Sequence, residues 1–142
     1  MIDFINVKTT IRLKKQGRNR NLMEEVILPG GNINKDSLLL SFQDSIEEMM
    51  QKFKNHRIST SLLKGLESYE KTNRLTDFEK YMDDYLMNLN KSSKNIYFGP
   101  EPIFSYVVAK ETEIKNLRII MVSKTNGISP EAIRERVRDL YV

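Results

Sequence analysis

The residues best placed to do chemistry are Glu113, Asn116 and Arg118. An acid, an amide and a cation within six positions could serve as proton donor, orienting group and oxyanion clamp. On a helix, 113 and 116 share a face while 118 sits well round from 116. Polar side chains of that kind more often hydrogen-bond to neighbouring helices and hold their register. No nucleophile, base and orienting group can be assembled around them. The chain has no cysteine and a single histidine, His56, in the polar connector Lys54-Asn55-His56-Arg57, where it reads as a solvated loop residue. Disulfides, thiolate zinc sites and histidine-rich metal sites are thereby excluded. Asp77, Glu79, Asp83 and Asp84 lack the looped oxygen-ligand spacing of a calcium site and read as a solvated helix face. Pro29-Gly30-Gly31-Asn32 has no Gly-Lys-Ser/Thr after it, so it is a turn rather than a phosphate cradle. The residues imply no catalytic group, no metal and no cofactor.

One stretch could meet phosphates. Lys8, Arg12, Lys14, Lys15, Arg18 and Arg20 follow one another with no acidic residue between Asp3 and Glu24. They could bind RNA or lipid headgroups, or an acidic protein partner. No aromatic residue interleaves them, which weakens the stacking platform a single-stranded nucleic acid needs. The overall balance, 23 Lys and Arg against 19 Asp and Glu in 142 residues, is too mild to announce a nucleic-acid protein. A helical RNA-binding module using Lys8 to Arg20 is therefore the second reading.

The elements that must position these residues are helical. Apolar residues recur three or four apart at Phe42, Ile46, Met49, Met50 and Phe53, then at Leu62, Leu63, Leu66 and Tyr69, and again at Phe78, Met82, Tyr85, Leu86 and Leu89. Ser59 and Thr60 are candidate caps for the second stripe, and Thr76 with Glu79 reads as a capping box for the third. Ser129 is placed to cap a last helix, with Pro130 at its first position. Strand signals are poor. The expected fold is all-α with about seven helices. The longest apolar-rich run, Ile103 to Val122, is broken by Lys110, Glu111, Glu113, Lys115 and Arg118, which argues against a membrane span.

A repeat runs through the chain. At an offset of 110, Asp3 falls on Glu113, Asn6 on Asn116, Lys8 on Arg118, Lys14 on Lys124 and Gly17 on Gly127. Phe4, Val7 and Ile11 fall on Ile114, Leu117 and Met121. The unit is an acidic residue, Asn and a basic residue on a helix, then a glycine turn, then a short helix. Because the first copy starts almost at Met1, the chain is expected to be a C-terminal fragment.

The run Phe98-Gly99-Pro100-Glu101-Pro102-Ile103-Phe104-Ser105-Tyr106, then Ala109-Lys110-Glu111 and Glu113-Ile114-Lys115-Asn116-Leu117-Arg118-Ile119-Ile120, resembles the C-terminal signature of the C subunit of V/A-type ATP synthases. The closing Ile133 to Val142 fits the same family, and Ile2 to Lys8, Arg12 and Pro29-Gly30-Gly31 resemble its second repeat. The eukaryotic relative is the d subunit of the vacuolar proton pump. The resemblance implies a helical bundle belonging to a funnel-shaped subunit of three repeats. Residues 1–28 would end the second repeat and 29–142 would form the third. It further implies a non-catalytic coupling part, peripheral on the cytoplasmic face of the membrane. Its partners would be the central-stalk subunits and the membrane rotor ring, with ATP-driven rotation passed to proton or sodium transport and no nucleic acid bound. Asp3, Asn6, Arg12, Glu113, Asn116 and Arg118 are the candidates for a partner-binding or structural polar network.

Overall fold

A computed structural model describes residues 1–141 apart from Arg57 and Tyr97, so one residue of the connector around His56 and the final Val142 lie outside the described residues. The described residues form eight α-helices: α1 (Ile2–Lys15), α2 (Arg20–Val26), α3 (Lys35–Ser41), α4 (Ile46–Phe53), α5 (Ser59–Thr72), α6 (Leu75–Ser92), α7 (Glu101–Thr125) and α8 (Pro130–Arg136). A short 3-10 turn, Ser93–Asn95, follows α6. There is no strand among the described residues, and the all-α expectation holds.

The caps explain where sequence and structure part. The stripe from Phe42 to Phe53 does not lie on one helix: Phe42 follows the end of α3, and Ile46 to Phe53 form α4, which Ser45 opens. Ser45 Oγ accepts from the Glu48 amide at 3.2 Å while the Glu48 carboxylate accepts from the Ser45 amide at 2.7 Å. That reciprocal pair is a capping box. Thr76 is not a cap, since α6 already begins at Leu75, and Glu79 turns its carboxylate to Lys8 instead. Ser59 and Thr60 likewise lie inside α5. Ser129 does cap α8, accepting from the Ala132 amide at 3.4 Å.

The chain divides into two compact units, Met1–Met82 and a second that opens at Asp83 inside α6. The first has an ordinary apolar core: Phe4, Val7, Ile11, Met23, Leu38, Met49, Phe53, Leu62, Leu66 and Phe78 are all buried. α4 packs on α5, and α1 on α3. Phe4 meets Phe78 edge to face with ring centroids 6.0 Å apart. Gly65 lets Phe78 in, since a Cβ there would stand 2.8 Å from the ring. In the second unit the long helix α7 buries a face of Ser105, Val108, Thr112, Asn116 and Ser123. Its opposite face exposes Ile103, Val107, Ile114, Leu117 and Met121. No helix among the described residues is long and apolar enough to cross a membrane.

Candidate functional site

Two asparagines organise the polar interior. Asn6 donates through Nδ2 to the Leu28 carbonyl at 2.9 Å and accepts the Leu28 amide at 2.9 Å. Asn116 does the same to Arg138, donating at 3.0 Å and accepting at 2.8 Å. Each amide side chain therefore closes both of its bonds on one main-chain residue, 22 positions on. Both asparagines are buried. A backbone N–H and C=O that would otherwise be stranded where α2 or α8 ends are satisfied together.

The repeat extends to the main chain between them. Gly17 and Gly127 both take left-handed backbone, at φ of 63° and 66°, which glycine adopts without steric cost. The Arg18 amide donates to Leu13 and the Ile128 amide to Ser123, each at 3.0 Å. Asn19 caps α2 where Ser129 caps α8. A helix, a glycine turn, a capped short helix and an asparagine clasp thus recur 110 residues apart.

The remaining candidates diverge. Asp3 is buried, and its carboxylate accepts from the Ile33 amide at 2.9 Å and from Asn32 Nδ2 at 3.3 Å. Its counterpart Glu113 is exposed and pairs with Lys110 on its own helix at 2.7 Å. Lys8 meets Glu79 at 3.2 Å, and the more exposed Arg12 approaches the same oxygen at 3.8 Å. Arg118, the counterpart of Lys8, is exposed and makes no ion pair among the described residues. Glu113, Asn116 and Arg118 therefore do not converge on a point where a substrate could react.

An ion-pair centre also escaped the sequence. Asp83 is buried, not solvated, and its two oxygens take Lys115 and the Arg138 Nε at 3.1 Å each. Beside it Asp84 accepts the Asp139 amide at 2.7 Å, and Lys91 pairs with Asp139 at 3.1 Å. Lys94 stands over the Tyr141 ring at 5.1 Å. With the Asn116 clasp, these contacts pin the segment after α8 to α6 and α7. The Asp83 pairings join positions 32 and 55 apart, and no local spacing encodes them. Glu79 is likewise half-buried and paired, and no group of acidic and histidine side chains that could hold a metal exists among the described residues. His56 is partly buried with its ring edge-on to Phe53, 6.1 Å between centroids.

The basic stretch is largely consumed inside the fold. Besides Lys8, Lys14 donates to the Asp44 carbonyl and Lys15 to the Asn73 carbonyl at 3.0 Å. Burial lowers the Lys14 pKa from its ordinary value, while Asp44 and then Glu48 pull it back up. Four of the six cations available to a phosphate backbone, Lys8, Arg12, Lys14 and Lys15, are thus tied to the protein.

Comparison with known proteins identifies the family. The family of the ATP synthase (C/AC39) subunit matches residues 1–136, and the chain belongs to it. It is 35% identical to the C subunit of the V-type sodium ATPase of Enterococcus hirae over 142 residues, covering 99% of this chain and 42% of that protein. It is 29% identical to the C subunit of the A-type ATP synthase of Haloferax volcanii, covering 93% of this chain and 38% of the relative. The corresponding A-type protein of Methanocaldococcus jannaschii gives 29% identity over 94% of this chain and 34% of its own. The chain spans about two fifths or less of the length of these curated relatives. No solved structure matches it.

Proposed function

We propose that this chain is part of a non-catalytic coupling subunit of a rotary V/A-type ATPase. It would receive the foot of the central stalk and pass rotation to the membrane rotor ring, so that ATP turnover and proton or sodium transport are linked. Residues 1–28 are the end of one helical repeat and 29–142 the next. The subunit sits peripherally on the cytoplasmic face of the membrane and needs no cofactor. The observation that carries this reading is the family match across residues 1–136. The geometry is consistent with it: torque needs rigid shape rather than reactive groups, and buried polar networks that are fully satisfied rigidify the helices they join.

The test is co-isolation. A tagged chain expressed in its source is captured from unwashed membranes at low salt, and its companions are identified. Stalk and rotor-ring subunits in the eluate support the reading. A chain found only in the soluble fraction, or retained on RNA at low salt and released as salt rises, overturns it in favour of the RNA-binding alternative.

A further inference from the structure

Buried asparagines hold main chain in this fold, and one of them holds nothing. Asn6 and Asn116 each close both bonds of the side-chain amide on a backbone residue. Asn90, near the end of α6, is 5% exposed, as Asn116 is. Its Nδ2 is the only buried side-chain nitrogen or oxygen without a hydrogen-bond partner among the described residues. An unbonded buried donor costs stability, so such a group calls for an explanation.

Asn90 lines a cavity of about 290 Å³ where α6 ends and α7 begins, walled otherwise by Ser93, Pro100, Glu101, Phe104 and Ser105. A single water, at roughly 30 Å³, does not fill that space. Glu101, Phe104 and Ser105 share a face of α7 because they lie three and four residues apart. The helix runs for 25 residues and starts without a side-chain cap, so the cavity sits at the positive end of its dipole. A free anion is nevertheless a poor fit. The Glu101 carboxylate lies back against Gly99, on the same wall, and has no hydrogen bond or ion pair among the described residues. The cavity therefore presents a donor in want of an acceptor and an acceptor in want of a donor. Between them stands the Phe104 side chain, 60% exposed. The two serine hydroxyls turn to donate or accept and set no preference of their own.

We propose that this cavity takes a peptide group from an extended segment of a partner polypeptide. The carbonyl of that group accepts from Asn90 Nδ2, brought to the cavity wall by a turn about the terminal torsion, which is broad in asparagine. The N–H donates to the Glu101 carboxylate, and a neighbouring apolar side chain lies on Phe104. A peptide group supplies one acceptor and one donor close together, which is what Asn6 and Asn116 already grasp within the chain. An anion meets the Glu101 carboxylate, and a purely apolar ligand leaves Asn90 unbonded.

The probe is the blocked peptide acetyl-Gly-Leu-Gly-amide, titrated into the isotope-labelled, purified chain and followed by NMR. The side-chain amide of Asn90 and the backbone amides of Phe104 and Ser105 shift together and saturate. Asn90→Leu, similar in size but lacking the donor, weakens binding at least about tenfold. It does not lower the melting temperature of the free chain, because the amide it removes makes no bond there. Phe104→Ala, at an exposed position away from the core, also weakens binding and serves as the second variant should Asn90→Leu fail to fold. Acetate and inorganic phosphate produce no saturating shift. Absence of saturation with the peptide, an Asn90 resonance that stays in place, binding indifferent to the variants, or acetate or phosphate matching the peptide would each overturn the proposal.

Discussion

Asn116 spends both hydrogen bonds of its side-chain amide on the backbone of Arg138, while the Arg138 side chain reaches Asp83 at 3.1 Å. A single residue after α8 is thereby tied to α7 through its main chain and to α6 through its guanidinium. The first copy has the main-chain half of this arrangement, at Asn6 and Leu28, but an apolar side chain in place of the cation.

Removing either clasp strands a backbone donor and an acceptor in partly buried surroundings. Asn6→Ala and Asn116→Ala should each cost about 2–6 kcal/mol, from two unsatisfied groups at about 1–3 kcal/mol apiece. The two clasps share no partner, so the double variant should lose the sum to within about 0.5 kcal/mol. Denaturant midpoints measure the losses. Amide exchange locates them: Asn116→Ala should speed exchange at Arg138 and leave Leu28 untouched.

Gly65→Ala places a methyl 2.8 Å from the Phe78 ring, which also packs edge to face on Phe4. Overpacking of this kind costs about 1–3 kcal/mol. Combining it with Phe78→Leu should recover part of that loss, because the smaller side chain vacates the space. A double variant less stable than the sum of the singles would show that Gly65 is needed for another reason.

The two kinds of ion pair should separate cleanly. Asp83→Ala leaves Arg138, whose side chain is 12% exposed, without its carboxylate, and loss of a buried partner costs about 3–5 kcal/mol. Glu113→Gln breaks the exposed pair with Lys110 and should change stability by about 1 kcal/mol at most. Thermal unfolding of the two variants side by side tests the contrast.

Lys14 supplies a pH dependence. Burial holds its pKa below the ordinary 10.5 in the folded chain. Between the folded value and 10.5 the unfolded chain binds more protons, so this residue makes stability rise with pH across that alkaline window. Below the window both states are protonated and the dependence vanishes. Urea titrations of the natural chain and Lys14→Met should therefore differ by a constant amount near neutrality, and the difference should shift in favour of the natural chain as pH climbs towards 10.5.

Much of this was legible in the residues. Helix type followed from apolar spacing, the start of α8 from Ser129 and Pro130, and the repeat from Asn6, Gly17, Asn116 and Gly127, because helix geometry, caps and left-handed turns are local and each requires particular residue types. The family was legible for the same reason, since its signature is a contiguous run around α7. The partners of the asparagines were not, because a backbone carbonyl or amide carries no side-chain mark. Nor was the burial of Asp83, which depends on Lys115 and Arg138 arriving from distant positions. Above all, the sequence treats Phe4 and Ile114, or Ile11 and Met121, as equivalent. Only the tertiary structure decided that one set is core and the other surface, because burial belongs to whatever packs against a side chain and not to the side chain itself.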